Sequence, residues 1–421
     1  MKRRLAIAAL CLLASATSAQ QHNPAPAFPG QTDAPPAPAS KYRVAVITDK
    51  LADPWAVAFL PDGNLLVSER LGTLRTVTPT GTVSEPITGV PPVKVVAVQG
   101  FHDIALDPHF AANRFVYFTY FAPPQGEVAA QWPNSHFYDD VWKKSVAERR
   151  VLDLGSERVG RGKLSLDNRR LEGVEVLIDG RAERRLAFGR DGTLFVIGAD
   201  VFRFYDNDSD GLDHDYTAEP DLRRNFSGRV IRINADGSIP ADNPWLDRPT
   251  VPRELFAHGL RDPEGMAVHP VTGDLWVVDH GPQGGDELNI VRPRRDYGWP
   301  DVSYGVQYDN RQADGRKNVP VGNGQRSMPG VEEPVYFWVP SIAPSGMTFY
   351  TGSLFPQWRG NLFIGALSGK QLVRLVLDGE RVVAEEKLLV ERDARIRDVR
   401  QGPDGALYVL AGGSLLRITP Q

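Results

Sequence analysis

Cysteine is all but missing. The 421-residue chain has one, Cys11, inside a short apolar leader. With the leader removed no cysteine remains, which excludes disulfides, zinc–thiolate centres and a cysteine nucleophile together. Burial of apolar surface has to hold the fold unaided. Long hydrophobic runs are missing too: the apolar stretch at residues 5–16 has signal-peptide length and is too short for a membrane span. Dense basic stripes are absent. The formal charge of −4 becomes −7 once Lys2, Arg3 and Arg4 are removed. The pairs Arg149-Arg150, Arg184-Arg185, Arg223-Arg224 and Arg294-Arg295 are short and read as solvated, so nucleic acid is not an expected partner. No Gly-x-Gly-x-x-Gly, His-Glu-x-x-His or Gly-x-Ser-x-Gly occurs, so nicotinamide, zincin and hydrolase-elbow chemistries lack support. No stretch shows helical periodicity of note.

The chain opens with Lys2-Arg3-Arg4, the apolar run, and the small residues Thr17-Ser18-Ala19. This pattern predicts a secretory signal peptide over residues 1–19 and places the protein in the periplasm or outside the cell. Residues 20–40 carry six prolines and no hydrophobic period, and are expected to form a disordered tether. The folded domain is expected over residues 41–421.

What is there instead is a repeat. A short apolar strand, a turn with Pro or Asp and Gly, and a second apolar strand recur six times. The copies begin at Ala56, Asp103, Leu186, Gly265, Gly346 and Val399. Ala56-Val57-Ala58-Phe59-Leu60-Pro61-Asp62-Gly63-Asn64-Leu65-Leu66-Val67 shows the form. Asp-Gly supplies the dihedrals of a tight reversal, and the β-branched and aromatic flanks suit strands. A lone hairpin cannot bury its own faces, but blades packed radially can, so the repeat predicts an all-β, six-bladed β-propeller. A two-sheet sandwich is the runner-up, yet sandwiches do not repeat one phrase in this way.

Polar loops flank these copies, and in a propeller they converge on one mouth of the axial channel. Asp279-His280-Gly281-Pro282-Gln283-Gly284-Gly285-Asp286-Glu287 is the most distinctive, with carbonyls free for a hard cation such as Ca²⁺; the plain alternative is an acidic surface turn. Arg261, Arg395 and Arg397, with Arg181 and Lys370, suggest a small polyanionic ligand. Arg395 and Arg397 are one strand period apart and share a face. Asp206-Asn207-Asp208-Ser209-Asp210-Gly211 matches the start of a calcium loop, although Thr217 stands where an EF-hand carries its glutamate. Asp206, Asp208 and Asp210 are therefore candidate ligands of a structural Ca²⁺.

These residues resemble a known family. Gly228-Arg229-Val230-Ile231-Arg232-Ile233-Asn234-Ala235-Asp236-Gly237-Ser238-Ile239-Pro240, Gly259-Leu260-Arg261-Asp262-Pro263, the His280-Gly281-Pro282 loop, Asp296-Tyr297-Gly298-Trp299-Pro300 and Arg395-Ile396-Arg397-Asp398 are similar, in order, to the soluble PQQ-dependent aldose sugar dehydrogenases of the glucose/sorbosone dehydrogenase family. The resemblance implies a six-bladed propeller with PQQ at the channel mouth, its carboxylates held by Arg261, Arg395 and Arg397. It implies Ca²⁺ on the carbonyls of Gly281 and Pro282, where the cation polarises the quinone. It also implies a sugar substrate, with Trp338 or Tyr336 as its platform, and an external electron acceptor.

The match has gaps. Arg181 stands where the family carries its catalytic histidine, and an arginine is a poor base. Asp262 replaces a cofactor-binding asparagine, adding a carboxylate beside a tricarboxylate. Ser368 takes the place of a lysine, with Lys370 two residues on, and Gln99 meets the family glutamine only after a one-residue slip. His102 is the candidate surrogate base; a structural, hydrogen-bonded histidine is its plain alternative. Two other functions stay open: a Ca²⁺-dependent, lactonase-like hydrolase, and a propeller that binds sugar or PQQ without catalysis.

Overall fold

The repeated phrase folds as the hairpin expected of it. In the computed structural model Pro54–Phe59 pairs antiparallel with Leu65–Glu69 across Pro61-Asp62-Gly63. Gly63, Gly192 and Gly405 close three of these turns at φ of 86°, 80° and 79°, the left-handed region that side chains resist. The structure describes residues 24–95, 98–124, 155–180, 183–199, 228–249, 251–308 and 316–421.

Six sheets form, one per copy of the phrase. Their first strands are Pro54–Phe59, Phe101–Leu106, Glu183–Phe188, Pro263–Val268, Pro344–Phe349 and Ile396–Gln401, which begin blades 1 to 6. Each of these strands packs on the next, and the sixth packs on the first, so they form a closed ring about one axis. The outer strand of blade 6 comes from the start of the chain: Tyr42–Thr48 pairs with Ser414–Pro420, Val44 opposite Ile418. This seam removes the free edges that an open ring would leave.

The core is divided accordingly. Trp55, Leu66, Phe101 and Phe118 cluster between blades 1 and 2. Tyr117, Val159, Leu186 and Ile231 fill the next interface, and Phe195, Met266 and Val277 the one after. Trp276, Leu288, Met347 and Ile364 join blades 4 and 5, and Trp358, Phe363, Val399 and Leu407 join blades 5 and 6. Val57, Val67, Leu410 and Leu415 close the circle. Alternate residues of each strand point to opposite neighbours, so every blade contributes to two clusters. The sandwich alternative is excluded by this ring.

One expectation about the chain's start fails. Residues 24–40 are not a free tether. They run as a strap against the outer edges of blades 4 and 5. Ala37 N donates to Glu385 O at 2.8 Å and Glu385 N to Pro35 O at 2.9 Å, which covers the edge strand Arg381–Leu388. Proline does not prevent this, because a strand paired along one side needs only alternate N–H groups. Gln31 is fully buried; its amide donates to Pro334 O at 2.9 Å and accepts from Ala27 N at 2.7 Å and the Tyr304 hydroxyl at 3.3 Å. Replacing Gln31 by Ala should therefore cost about 1–3 kcal/mol of stability. Urea unfolding of wild type and Gln31→Ala checks this, and an unchanged midpoint would mean that the strap is undocked in solution.

Candidate active site

Every inner strand carries a register shift against its neighbour close to the same end. The shifts fall between Pro54 and Ala56, Phe101 and Ile104, Pro263 and Gly265, Pro344 and Met347, and Ile396 and Asp398. In blade 3 the partners of Ile197 and Gly198 are Arg185 and Glu183, which skips Arg184. A bulge leaves its extra residue out of the ladder and re-aims the side chain. The residues so released include Trp55, His102, Arg184, Glu264 and Arg397, and all five line one axial cavity of about 230 Å³. Asp262, His280 and Arg395 complete much of its wall.

The wall is charged and internally paired. Arg184 bonds Glu264 and reaches Asp262 at 3.2 Å. The other oxygen of Glu264 takes Arg397 at 2.9 Å. Burial works against the Glu264 carboxylate, but Arg184 and Arg397, then His280 and Arg185, hold its pKa well below the usual range. Behind this layer lies a second. Arg185 sits over the Trp55 ring at 3.9 Å and reaches Asp398 at 3.3 Å and Asp103 at 3.7 Å. Arg400 bonds both acids at 3.0 Å. Arg184 and Arg185 are 5% and 1% exposed, so the expected solvated pair is instead part of the channel lining and floor.

His102 is fully buried and lies beside Trp55, the two rings tilted by 31° with centroids 5.1 Å apart. Its Nε2 lies 3.2 Å from Val98 O, an acceptor only, so Nε2 carries the proton and Nδ1 keeps a lone pair. Nδ1 has no hydrogen-bond partner. Burial, then the Arg184 charge, lowers the imidazole pKa to about 3, so the ring is neutral.

Residues 51–417 match the family described as Glucose / Sorbosone dehydrogenase. The chain belongs to that family. It is 35% identical over 391 residues to the aldose sugar dehydrogenase YliI of Escherichia coli (strain K12), covering 91% of this chain and 94% of that protein. It is 24% identical over 420 residues to quinoprotein glucose dehydrogenase B of Acinetobacter calcoaceticus, covering 87% and 84% of the two chains. The crystal structure of the soluble aldose sugar dehydrogenase from Escherichia coli in the apo-form superposes with a TM-score of 0.74 at 32% identity, covering 90% of this chain and 100% of that one. Family and fold agree: the fold is a propeller, and the family is one of sugar dehydrogenases.

Against the family's pattern, the structure sorts the expected residues into separate places. Arg395, Arg397, Asp262 and His102 share the axial cavity. Arg261 lines an adjoining, water-sized cavity of about 10 Å³ with Gly281, where its NH1 donates to His280 O at 2.9 Å and its guanidinium stands 5.2 Å from the Trp299 ring. Burial pushes the neighbouring Asp279 up to about 7; burial and then Asp279 push Glu287 up to about 8. Asp286 fixes the Gly281–Pro282 loop: one oxygen accepts Gly281 N at 3.0 Å, the other Ser341 Oγ, Ile342 N and Ala343 N at 2.7–2.8 Å.

Lys370 lies outside, 2.9 Å from Asp393, and Gln99 is buried behind the mouth, where its backbone O takes Arg70 at 3.2 Å. Tyr336 and Trp338 form no platform at the mouth. Tyr336–Trp338 is the outermost strand of blade 4, and both side chains bond Glu385 in a second cavity of about 510 Å³ under the strap. Arg181 and the Asp206, Asp208 and Asp210 loop lie outside the described residues. Sequence reasoning missed Arg184, Glu264 and Trp55. Charged or large residues one or two places into an inner strand, where an ordinary ladder would bury them without a partner, are the signal that marks them.

The neutral His102 gives a pH signature. Its folded pKa of about 3 lies below the model-peptide value of 6.5, so the unfolded chain binds the extra proton and stability falls as pH drops below 6.5. From pH 7 to pH 5 this one group should remove about 2 kcal/mol. His102→Gln should lose correspondingly less over that interval in urea titrations at the two pH values.

Proposed function

We propose that this chain is an exported quinoprotein that oxidises an aldose or a similar alcohol to its lactone, with PQQ and Ca²⁺, and passes the electrons to an external acceptor. Its membership of the sugar dehydrogenase family supports the reaction class, and the relative named a quinoprotein supports the cofactor. The basic leader supports export, and among the described residues no helix is long and apolar enough to cross a membrane. The observation that carries the reading is the axial cavity, where guanidinium groups from two blades meet a neutral imidazole whose buried Nδ1 lacks a hydrogen-bond partner.

The wall fits a flat anionic group. Among the described residues the Arg395 side chain, at the mouth, makes one long bond, to Leu367 O at 3.4 Å, and Arg397 lies beside it with its guanidinium 5.5 Å from the Trp55 ring. These two would hold carboxylates, and Trp55 would give an aromatic wall. Among the described residues no three His, Cys, Asp or Glu side chains gather as a metal site, so Ca²⁺ would rest on the carbonyls of Gly281 and Pro282, in the loop that Asp286 holds. PQQ, when bound, supplies a quinone that accepts two electrons and a proton equivalent as hydride, and Ca²⁺ favours that arrival.

The chain's own part is orientation and proton handling. His102, whose buried Nδ1 has no hydrogen-bond partner, would take the hydroxyl proton as the anomeric C–H bond breaks. Burial and then Arg184 weaken it as a base, and an anion nearby would offset the Arg184 charge and raise its basicity. Enclosure by the six inner strands would keep bulk water from the reacting carbon.

The test is reconstitution. Purified protein is titrated with PQQ and Ca²⁺, then given an aldose panel with a dye acceptor. Dye reduction is expected, and His102→Ala should lower turnover by about 10²–10⁴-fold with cofactor still bound. Binding without turnover would leave a carrier or sensor of sugar or PQQ. Absence of binding would make a Ca²⁺-dependent, lactonase-like hydrolase or a sugar-binding propeller the better account.

A further inference from the structure

Glu264 holds two of the guanidinium groups that the axial cavity offers to a ligand. Its side chain is 7% exposed, with one oxygen on Arg184 and the other 2.9 Å from Arg397. Both arginines line the cavity, as does Glu264 itself. Asp262 adds a second carboxylate to Arg184 at 3.2 Å. Three arginines of the wall, Arg184, Arg395 and Arg397, thus face two acids, Asp262 and Glu264, before any ligand arrives. Arg395 is the one of the three with no salt bridge to an acid among the described residues; its long bond to a carbonyl leaves its charge uncompensated.

Geometry makes this arrangement more than a surface ion pair. The two arginines come from blades 3 and 6, and Glu264 from blade 4 between them in the ring's interior. The bulge that skips Glu264 in the ladder turns its side chain onto the axis. A carboxylate that bridges two guanidiniums in a confined cavity mimics the carboxylate of a ligand seated there. An incoming polyanion has to displace it, or share its arginines and bear its repulsion at close range.

We propose that Glu264 is a built-in counter-carboxylate that occupies the anion subsite of the axial cavity, so that a polyanionic cofactor is held weakly and exchangeably and ligands of lower negative charge are favoured. The inference rests on the PQQ reading above and specifies how this chain tunes it. Neutralising Glu264 frees Arg397 and part of Arg184 for the ligand. Neutralising Asp262 frees neither Arg397 nor the bridge.

The probe is PQQ, titrated into the full chain in Ca²⁺-containing buffer and followed by cofactor absorbance and tryptophan quenching, with dissociation timed by dilution. Glu264→Gln keeps the size of the side chain, and Glu264→Met keeps its volume without an acceptor, so at least one cooperatively melting variant is expected. Either should bind PQQ at least tenfold more tightly than wild type and release it more slowly, while Asp262→Asn changes affinity by a few-fold at most. Folded Glu264 variants that bind no better than wild type would overturn the proposal and leave the cofactor reading standing. Equal tightening by Asp262→Asn would also overturn it, because bulk charge and not the bridge would then be responsible. Failure of wild type and all variants to bind PQQ would remove the cofactor reading and this proposal together.

Discussion

One extra residue near the start of each inner strand, relative to its neighbour, shapes both the axis and the site. Six strands converge on the axis, and a regular ladder would send alternate side chains sideways into the blade interfaces, which are apolar. The bulge breaks that alternation once per blade, and in five of the six it sends a side chain down the channel instead. Trp55, His102, Arg184, Glu264 and Arg397 reach the same cavity by this device although they come from five blades. The interfaces stay apolar, and the polar chemistry is confined to the centre.

Concentrating charge there has a consequence. Buried guanidiniums and carboxylates lose their hydration and must compensate one another. The channel answers with two stacked layers, Arg184–Glu264–Arg397 towards the mouth and Arg185, Arg400, Asp103 and Asp398 beneath. The lower layer ties together blades 2, 3 and 6, and Asp103 also accepts Leu186 N at 2.9 Å, so the floor is built of the same strands that close the ring. The upper layer, unlike the lower, lines the cavity. His102 lies beside it as the neutral member, kept so by burial and by Arg184.

The periphery follows a different rule. The outer strands need covering rather than charge balance, and the strap of residues 24–40 supplies it along blade 5. Tyr336 and Trp338 belong to that outer economy of contacts. Their polar tips meet Glu385 and not the channel, because the fourth strand of a blade is the one farthest from the axis.

Local pattern was enough for the architecture. Six returns of one hairpin phrase state the blade count, since each copy carries its own turn and its own period-two strands, and these depend on residues next to one another. Arg395 and Arg397 both line the axial cavity, as their spacing suggested, but not through strand alternation: Arg395 precedes the strand Ile396–Gln401, and Arg397 is the residue its bulge skips. What tertiary structure alone decided is which distant charges meet. Arg185 bonds Asp398 across 213 residues, and Arg397 bonds Glu264 across 133. The Arg184-Arg185 pair looks solvated in sequence and is buried in the fold, and Pro- and Ala-rich residues 24–40 look like a tether and are docked. Periodicity tells which face of a strand a residue is on. Only closure of the ring decides what that face meets, because the partner comes from another blade and the energy of burying a charge depends on that partner.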